Sequence, residues 1–249
     1  MANSILYALD FDGVLCDSAV ETSLTGWKAA HYFWPKMPAD IPDTLITQFK
    51  DVRPVLETGY EAILILRLLF EGVTTTALLT DFPHQLAGII RRDQLDTNKL
   101  KQRFGETRDQ WIKDNLTQWI KMNPLFKGVI NKLTTIPSSN CYIVTTKQER
   151  FVSAILEANG ITVPSEQIFG LDRQMSKQRV LRDLLNQHPS HTILFVEDRL
   201  PTLINVMNDD QLKSIKLIFA NWGYNTAEDK QQATELKLTR LDLGDFSAL

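Results

Sequence analysis

Two aspartates separated by one residue follow the first apolar run of the chain. Asp10 directly follows residues 5–9, Asp12 comes two residues later, and Gly13 ends the pattern. Two carboxylates at this spacing can hold a divalent cation, because hard Mg²⁺ prefers oxygen ligands. The alternative is a loop with solvated acids, since an Asp-x-Asp sequence arises by chance in many chains. The meaning of the pair therefore depends on the residues that accompany it.

Three further apolar runs also end in polar residues. They are 141–144 before Thr145, Thr146 and Lys147, 192–196 before Glu197 and Asp198, and 216–220 before Asn221. Helical patterns lie between these runs; one ends before Gly160, a candidate C-cap, and another begins after Ser176, a candidate N-cap. The alternation predicts an α/β fold, a Rossmann-like parallel sheet with helices on both faces. Because ligands of such sheets bind beyond the carboxyl ends of the strands, we expect the polar residues to share one site.

The first run is separated from the others by more than one hundred residues that lack a strand pattern. Within this interval, residues 56–70 and 111–122 have helical patterns. We therefore expect a core domain formed by residues 1–17 and 124–249. A mainly α-helical domain, residues 18–123, would be inserted after the first strand.

The composition is that of an ordinary globular protein. Of 249 residues, 43% are hydrophobic and 23% are charged, which excludes a disordered or fibrous chain. The formal net charge is −3, so no basic field favours nucleic acid or an anionic membrane as a partner. An anionic substrate would have to be captured by local groups. We expect a monomer or a homodimer.

No segment predicts a membrane span or secretion. The longest apolar stretch, residues 62–70, is about half the length that a bilayer requires and contains Arg67. The N-terminus lacks a basic region followed by a separate hydrophobic segment and a cleavage site. The two cysteines, Cys16 and Cys141, match neither a disulfide framework nor a metal site, which is consistent with a reducing compartment. We therefore expect a cytoplasmic protein.

Four motifs follow one another along the chain. They are Asp10-Phe11-Asp12-Gly13-Val14-Leu15, Ile143-Val144-Thr145 continued by Thr146-Lys147, Lys177 near a helix start, and Phe195-Val196-Glu197-Asp198. In type and order they resemble the motifs of the haloacid dehalogenase superfamily of phosphohydrolases. Residues 124–129 and Asn221-Trp222-Gly223-Tyr224 also match. The resemblance covers residues 1–17 and about 124–225. It is strongest to the branch of phosphoglycolate phosphatases and β-phosphoglucomutase, in which the inserted helical domain is a C1-type cap.

The resemblance implies a role for each carboxylate. Asp10 would be the nucleophile that forms an aspartyl-phosphate, and Asp12 would be the general acid and base. Mg²⁺ would be bound by Asp10, Asp198 and the backbone carbonyl of Asp12, and would offset the repulsion between nucleophile and phosphate. Glu197 would support this shell from outside or through water. Many relatives have a second Asp where this chain has Thr202, so the site could have one carboxylate fewer.

The resemblance also assigns the groups that bind phosphate. Thr145 would donate a hydrogen bond to a phosphoryl oxygen, with Thr146 beside it, and Lys177 would place a cation next to the nucleophile. Thr145 could instead cap the next helix. Lys177 could instead be a solvated lysine at a helix start, with Lys147 and Arg173 as substitutes, because the proline that follows this lysine in many relatives is absent.

Arg53 and Glu57 are the candidate substrate-binding residues of the inserted domain. They belong to residues 53–61 (RPVLETGYE), which place charged, hydroxyl and aromatic groups around a glycine. A helix start with a solvated polar face would show the same pattern. The inserted domain as a whole would shield the site from water and choose the substrate.

These features favour a Mg²⁺-dependent phosphatase that hydrolyses a small phosphorylated metabolite through an aspartyl-phosphate intermediate. A phosphomutase of the β-phosphoglucomutase type stays open because of Glu197-Asp198. So does a member of the fold that binds a metabolite or a partner without turnover. Haloacid dehalogenase activity is disfavoured, since it needs neither a metal nor an acid-base group at the position of Asp12.

Overall fold

The computed structural model describes residues 4–248. The chain forms two compact units, Met1–Asp17 with Pro124–Leu249 and Ser18–Asn123, which we call the core unit and the inserted unit. The first residues of the chain, which bear on the expected lack of a leader segment, lie outside the described range.

A six-stranded parallel sheet forms the centre of the core unit. Its strands are β1 (Ile5–Leu9), β2 (Cys141–Val144), β3 (Ile168–Phe169), β4 (Thr192–Glu197), β5 (Lys216–Ala220) and β6 (Thr239–Leu241). Their order is β3-β2-β1-β4-β5-β6, which places β1 between β2 and β4. The predicted α/β fold with a parallel sheet is confirmed.

The inner strands are apolar because the sheet is covered on both faces. All of β2 is buried, and β1 is buried from Leu6 onward. The sequence pattern did not predict β3 or β6. β3 has only two residues, too few to show a period, and β6 is largely exposed at the sheet edge and has no apolar run.

The inserted unit is built from helices. They are α1 (Ala19–Phe33), α2 (Asp43–Val52), α3 (Glu61–Phe70), α4 (Thr75–Arg92) and α5 (Thr97–Lys121), with a 3-10 turn at Arg53–Val55. The helix predicted from residue 56 begins only at Glu61. The Glu61 carboxylate accepts hydrogen bonds from the backbone N–H groups of Glu57 and Thr58, at 2.7 and 3.0 Å, and so closes a turn ahead of the helix.

A buried ion pair joins α1 to α5 inside this unit. The Glu21 carboxylate accepts hydrogen bonds from the Arg108 guanidinium at 2.6 and 2.8 Å. Thr25 and the Trp119 indole donate to the same carboxylate at 2.7 and 3.0 Å. The Glu21 and Arg108 side chains are 0% and 5% exposed, so the pair is removed from water and depends on these donors.

The helices of the core unit cover its sheet. They are α6 (Val129–Thr135), α7 (Glu149–Ala158), α8 (Lys177–Gln187), α9 (Leu200–Met207), α10 (Ala227–Glu235) and α11 (Leu243–Ala248). Both predicted caps are confirmed: the Ser176 hydroxyl accepts from the Arg179 N–H at 3.2 Å, and Gly160 follows α7 with a φ of 72°. Among the described helices, none is long and apolar enough to cross a membrane.

Candidate active site

The carboxyl edge of the sheet brings together residues that are far apart in sequence. Asp10 follows β1, and the strands on either side of β1 lead into Thr145 and end at Glu197 before Asp198. The Asp10 N–H continues the pairing of β1 with β4 by donating to the Val196 carbonyl at 3.0 Å. Three adjacent strands thus fix the positions of these side chains.

Three of these carboxylates form a buried acidic cluster. One oxygen from each of Asp10, Glu197 and Asp198 lies within 4.8 Å of the others. The residues are 6%, 1% and 3% exposed. Repulsion at this depth has to be relieved by cations or by protonation of a carboxylate, because little water reaches the charges.

Lys177 supplies one of those cations. Its ammonium group donates to Asp10 Oδ1 at 2.8 Å and to Glu197 Oε2 at 2.7 Å. The lysine is the first residue of α8, and its side chain is only 13% exposed. It is therefore a bridge between two carboxylates rather than a solvated lysine at a helix start.

Backbone N–H groups hold the other members of the cluster. Arg199 donates its N–H to Glu197 Oε1 at 3.0 Å, so both oxygens of Glu197 have a protein donor. Tyr224 donates its N–H to Asp198 Oδ2 at 2.6 Å. Glu197 is thus oriented by the protein on both sides, while Asp198 is anchored from the loop after β5.

Two glycines, Gly13 after β1 and Gly223 after β5, allow the backbone to approach Asp198 closely. A Cβ atom on Gly13 would lie 1.9 Å from Asp198 Oδ2, and Gly13 has a φ of +89° that disfavours other residues. A Cβ on Gly223 would lie 2.2 Å from the Asp198 Cβ. Gly13 belongs to the first motif, but the motif alone did not show that its missing side chain makes room for a carboxylate.

Asp12 has a cation of its own, which the sequence did not predict. Lys147 donates to Asp12 Oδ1 at 3.0 Å, and its side chain is 0% exposed. The only sequence signal was a lysine two residues after Thr145, which suggested a substitute for Lys177. Lys147 instead contacts the other aspartate of the pair.

Burial dominates the electrostatics of Asp10. It raises the pKa of Asp10 from 3.8 to about 7, the charges of Glu197 and Asp12 add to the rise, and Lys177 opposes it. Burial by itself lowers the pKa of Lys177, but the charges of Asp10 and Glu197 outweigh it and the pKa is raised. The carboxylate of Asp10 is thus incompletely compensated by the protein's own cations.

The charges of the site fit a divalent cation. Four carboxylates, those of the acidic cluster and of Asp12, face the ammonium groups of Lys147 and Lys177. When all are ionised, two negative charges remain. Oxygen donors in a buried, net anionic site are the surroundings that Mg²⁺ prefers.

Thr145 and Thr146 follow β2, which lies on the other side of β1 from β4. Thr145 is 6% exposed, and its Oγ1 accepts the N–H of Lys147 at 3.2 Å, whereas α7 has Gln148 as its N-cap residue. Thr145 therefore does not cap that helix, and its hydroxyl proton can be donated elsewhere. Thr146 is half-buried beside it, and Arg173 contacts the Ser165 carbonyl at 2.7 Å rather than substituting for Lys177.

Solved structures with this architecture match the chain over nearly its whole length. A predicted phosphatase from Clostridium acetobutylicum matches with a TM-score of 0.58 and 14% identity, covering 100% of this chain and 98% of that one. A haloacid dehalogenase-like family hydrolase from Streptococcus pneumoniae matches with a TM-score of 0.55 and 16% identity, covering 98% and 95%. The chain has the haloacid dehalogenase-like fold. A predicted phosphoglycolate phosphatase from Haemophilus somnus is similar as well, with a TM-score of 0.57, 16% identity and 92% of each chain covered.

The haloacid dehalogenase-like fold confirms the architecture that the motifs implied. No protein-family model matches the sequence, and no curated protein is significantly similar to it. At identities of 14–16% the likeness shows the fold alone.

Three predicted positions remain, Arg53, Glu57 and Thr202. Arg53 and Glu57 belong to the inserted unit, where Arg53 is 7% exposed and donates to the Leu56 carbonyl at 3.2 Å. Thr202 lies in the first turn of α9, where its N–H donates to the Arg199 carbonyl at 3.1 Å. Their roles toward substrate or metal stay predictions.

Proposed function

We propose that the protein is a Mg²⁺-dependent phosphatase that hydrolyses a small phosphorylated metabolite through an aspartyl-phosphate on Asp10. The observation that carries the proposal is the buried Asp10 carboxylate at the central strand end, bridged by Lys177 to Glu197 and lying beside Asp198. This arrangement combines a nucleophile, a fixed cation and oxygen ligands at one point.

Asp10 is the nucleophile in the first step. A carboxylate oxygen attacks phosphorus, the bond between phosphorus and the ester oxygen breaks, and the leaving oxygen takes a proton from Asp12. Lys177, 2.8 Å from Asp10 Oδ1, orients the attacking carboxylate and neutralises part of the charge that gathers around phosphorus.

Asp12 changes role in the second step. It removes a proton from a water molecule that attacks phosphorus, and the bond between phosphorus and Asp10 breaks, which releases inorganic phosphate and restores both carboxyl groups. The hydroxyl groups of Thr145 and Thr146 donate hydrogen bonds to the phosphoryl oxygens. Positioning and charge stabilisation dominate phosphoryl transfer, so hydrogen bonds of this kind contribute to the rate.

Asp10, Asp198 and the backbone carbonyl of Asp12 are the groups that would hold Mg²⁺. The metal would supply the positive charge that lets an anionic nucleophile approach an anionic phosphate. Glu197 would act from outside this set, because its two oxygens already accept hydrogen bonds from Lys177 and Arg199. The inserted unit, 18–123, would be the cap that selects the metabolite, with Arg53 and Glu57 contacting it.

Phosphate release from a panel of phosphorylated metabolites tests the proposal. The panel is assayed with Mg²⁺ and with EDTA, using the wild-type protein, Asp10→Asn, and Asp210→Asn as a matched control whose native side chain is 96% exposed. We expect phosphate release only with Mg²⁺. Asp10→Asn should lower the rate of release at least about 10³-fold, and Asp210→Asn should leave that rate unchanged.

Three outcomes would contradict the proposal. Equal activity of Asp10→Asn would exclude Asp10 as the nucleophile. Interconversion of phosphate isomers without net release would favour a phosphomutase. Binding of a metabolite without any turnover would favour a catalytically silent member of the fold.

A further inference from the structure

The two aspartates of the first motif each have a separate lysine. Lys177 contacts Asp10 and Glu197, while Lys147 contacts Asp12 at 3.0 Å. The Asp12 side chain is 17% exposed, whereas that of Lys147 is 0% exposed. The ammonium group thus approaches Asp12 from the interior of the core unit.

The backbone around Lys147 is held at both of its polar atoms. Its N–H donates to Thr145 Oγ1 at 3.2 Å, and its carbonyl accepts the Leu171 N–H at 3.1 Å. A Cβ on Gly170 would lie 2.4 Å from the Lys147 carbonyl oxygen, so the loop after β3 passes directly against it.

Glu149 ties these two loops together. Its carboxylate accepts the N–H groups of Gly170 and Asp172, at 2.9 and 3.2 Å. A lysine ammonium on a long side chain is normally mobile, but here its backbone and its stem are both fixed. Such a donor can hold a carboxylate in one rotamer.

The two steps of phosphatase catalysis depend on where Asp12 carries its proton. The Lys147 ammonium has no acceptor capacity and engages Oδ1. We therefore expect a proton bound by this carboxyl group on Oδ2. For general acid catalysis, Oδ2 must lie within hydrogen-bond reach of the leaving group.

We propose that Lys147 is a positioning residue that holds Asp12 by Oδ1, so that Oδ2 donates the proton to the leaving group and later removes one from water. The inference rests on the proposed phosphatase function. Lys147 acts through Asp12 and makes no contact of its own with the phosphoryl group.

The test compares two leaving groups. An alkyl phosphate ester needs a proton on its departing oxygen, whereas p-nitrophenolate departs without one. The quantity measured is kcat/KM, which covers the steps up to departure of the leaving group. We expect Lys147→Met to lower kcat/KM about 10²-fold for the alkyl ester and less than about 5-fold for p-nitrophenyl phosphate.

A double variant shows whether Lys147 acts through Asp12. If it does, Asp12→Asn combined with Lys147→Met is no slower on the alkyl ester than Asp12→Asn alone. Lys213→Met is the matched control, because the Lys213 side chain is 60% exposed. This variant is expected to leave kcat/KM unchanged for both substrates. If Lys147→Met does not fold, Lys147→Arg takes its place, with the same larger loss expected on the alkyl ester.

The outcomes separate this inference from the proposed function. Equal losses on the two esters, or a further loss in the double variant, would show a structural or phosphate-binding role and overturn the inference alone. Absence of hydrolysis by the wild-type protein would overturn the proposed function and this inference with it.

Discussion

Replacing Asp10 by asparagine removes a negative charge from a buried group while keeping its shape. Burial raises the pKa of Asp10 from 3.8 to about 7, with Glu197 and Asp12 contributing, so folding makes this carboxyl group harder to ionise. An acid of this kind stabilises the folded state below its unfolded pKa, and that contribution is lost as pH rises through the folded pKa. The metal-free protein should therefore lose stability between pH about 4 and about 7.

The shift sets the size of the effect. At about 1.36 kcal/mol per pKa unit, a rise from 3.8 to about 7 costs about 4 kcal/mol in full, of which about 3 kcal/mol falls between pH about 5 and about 8. Asparagine does not ionise and escapes this cost. Its weaker hydrogen bond to Lys177 lowers stability equally at both pH values and cancels in the comparison.

Urea unfolding in EDTA measures the difference. The free energy of unfolding of Asp10→Asn, relative to the wild-type protein, should rise by about 3 kcal/mol from pH about 5 to about 8. Asp210→Asn should show no such change, because its native side chain is 96% exposed. A difference that stays constant or shrinks with pH would refute the view that Asp10 is an incompletely compensated buried charge.

Two further perturbations test other parts of the structure. Gly13→Ala should abolish the stabilisation of the protein by Mg²⁺ in thermal unfolding, because the new Cβ would lie 1.9 Å from Asp198 Oδ2. Gly72 is the matched control, since it has a similar φ of +91° and open space around it. Gly72→Ala should lower the free energy of unfolding by only about 1–2 kcal/mol and keep the Mg²⁺ response. A retained Mg²⁺ response in Gly13→Ala would mean that Asp198 does not hold the metal. Arg108→Met should lower the free energy of unfolding by about 3–5 kcal/mol in urea, since it leaves the Glu21 carboxylate buried without its ion pair; a loss below about 1 kcal/mol would contradict that account.

The sheet and the residues at its carboxyl edge were predictable because they depend on short-range pattern. Buried strands followed by Asp10, Thr145 and Asp198 are visible as apolar runs that stop at polar residues. Parallel pairing of the strands then brings their carboxyl ends to one edge of the sheet, independent of the length and structure of the intervening segments. The same local rules predict the fold class and the caps of α7 and α8. They also predict that Lys177 lies at the start of α8.

Contacts that depend on loop geometry were not predictable. The pairing of Lys147 with Asp12 requires the loops after β2 and β3 to pack against each other through Gly170 and Glu149, and no spacing in the sequence encodes that contact. The start of α3 was misplaced for a similar reason, because the Glu61 carboxylate closes a turn that residue propensities do not show.

Chemical trapping of the intermediate tests the central claim most directly. Borohydride reduces an acyl phosphate to an alcohol, so an aspartyl-phosphate at residue 10 becomes homoserine, which mass spectrometry of peptides can locate. We expect homoserine at position 10 only when a hydrolysable phosphate ester and Mg²⁺ are both present. Phosphate release with no modification at Asp10, or with modification at another carboxylate, would contradict the account.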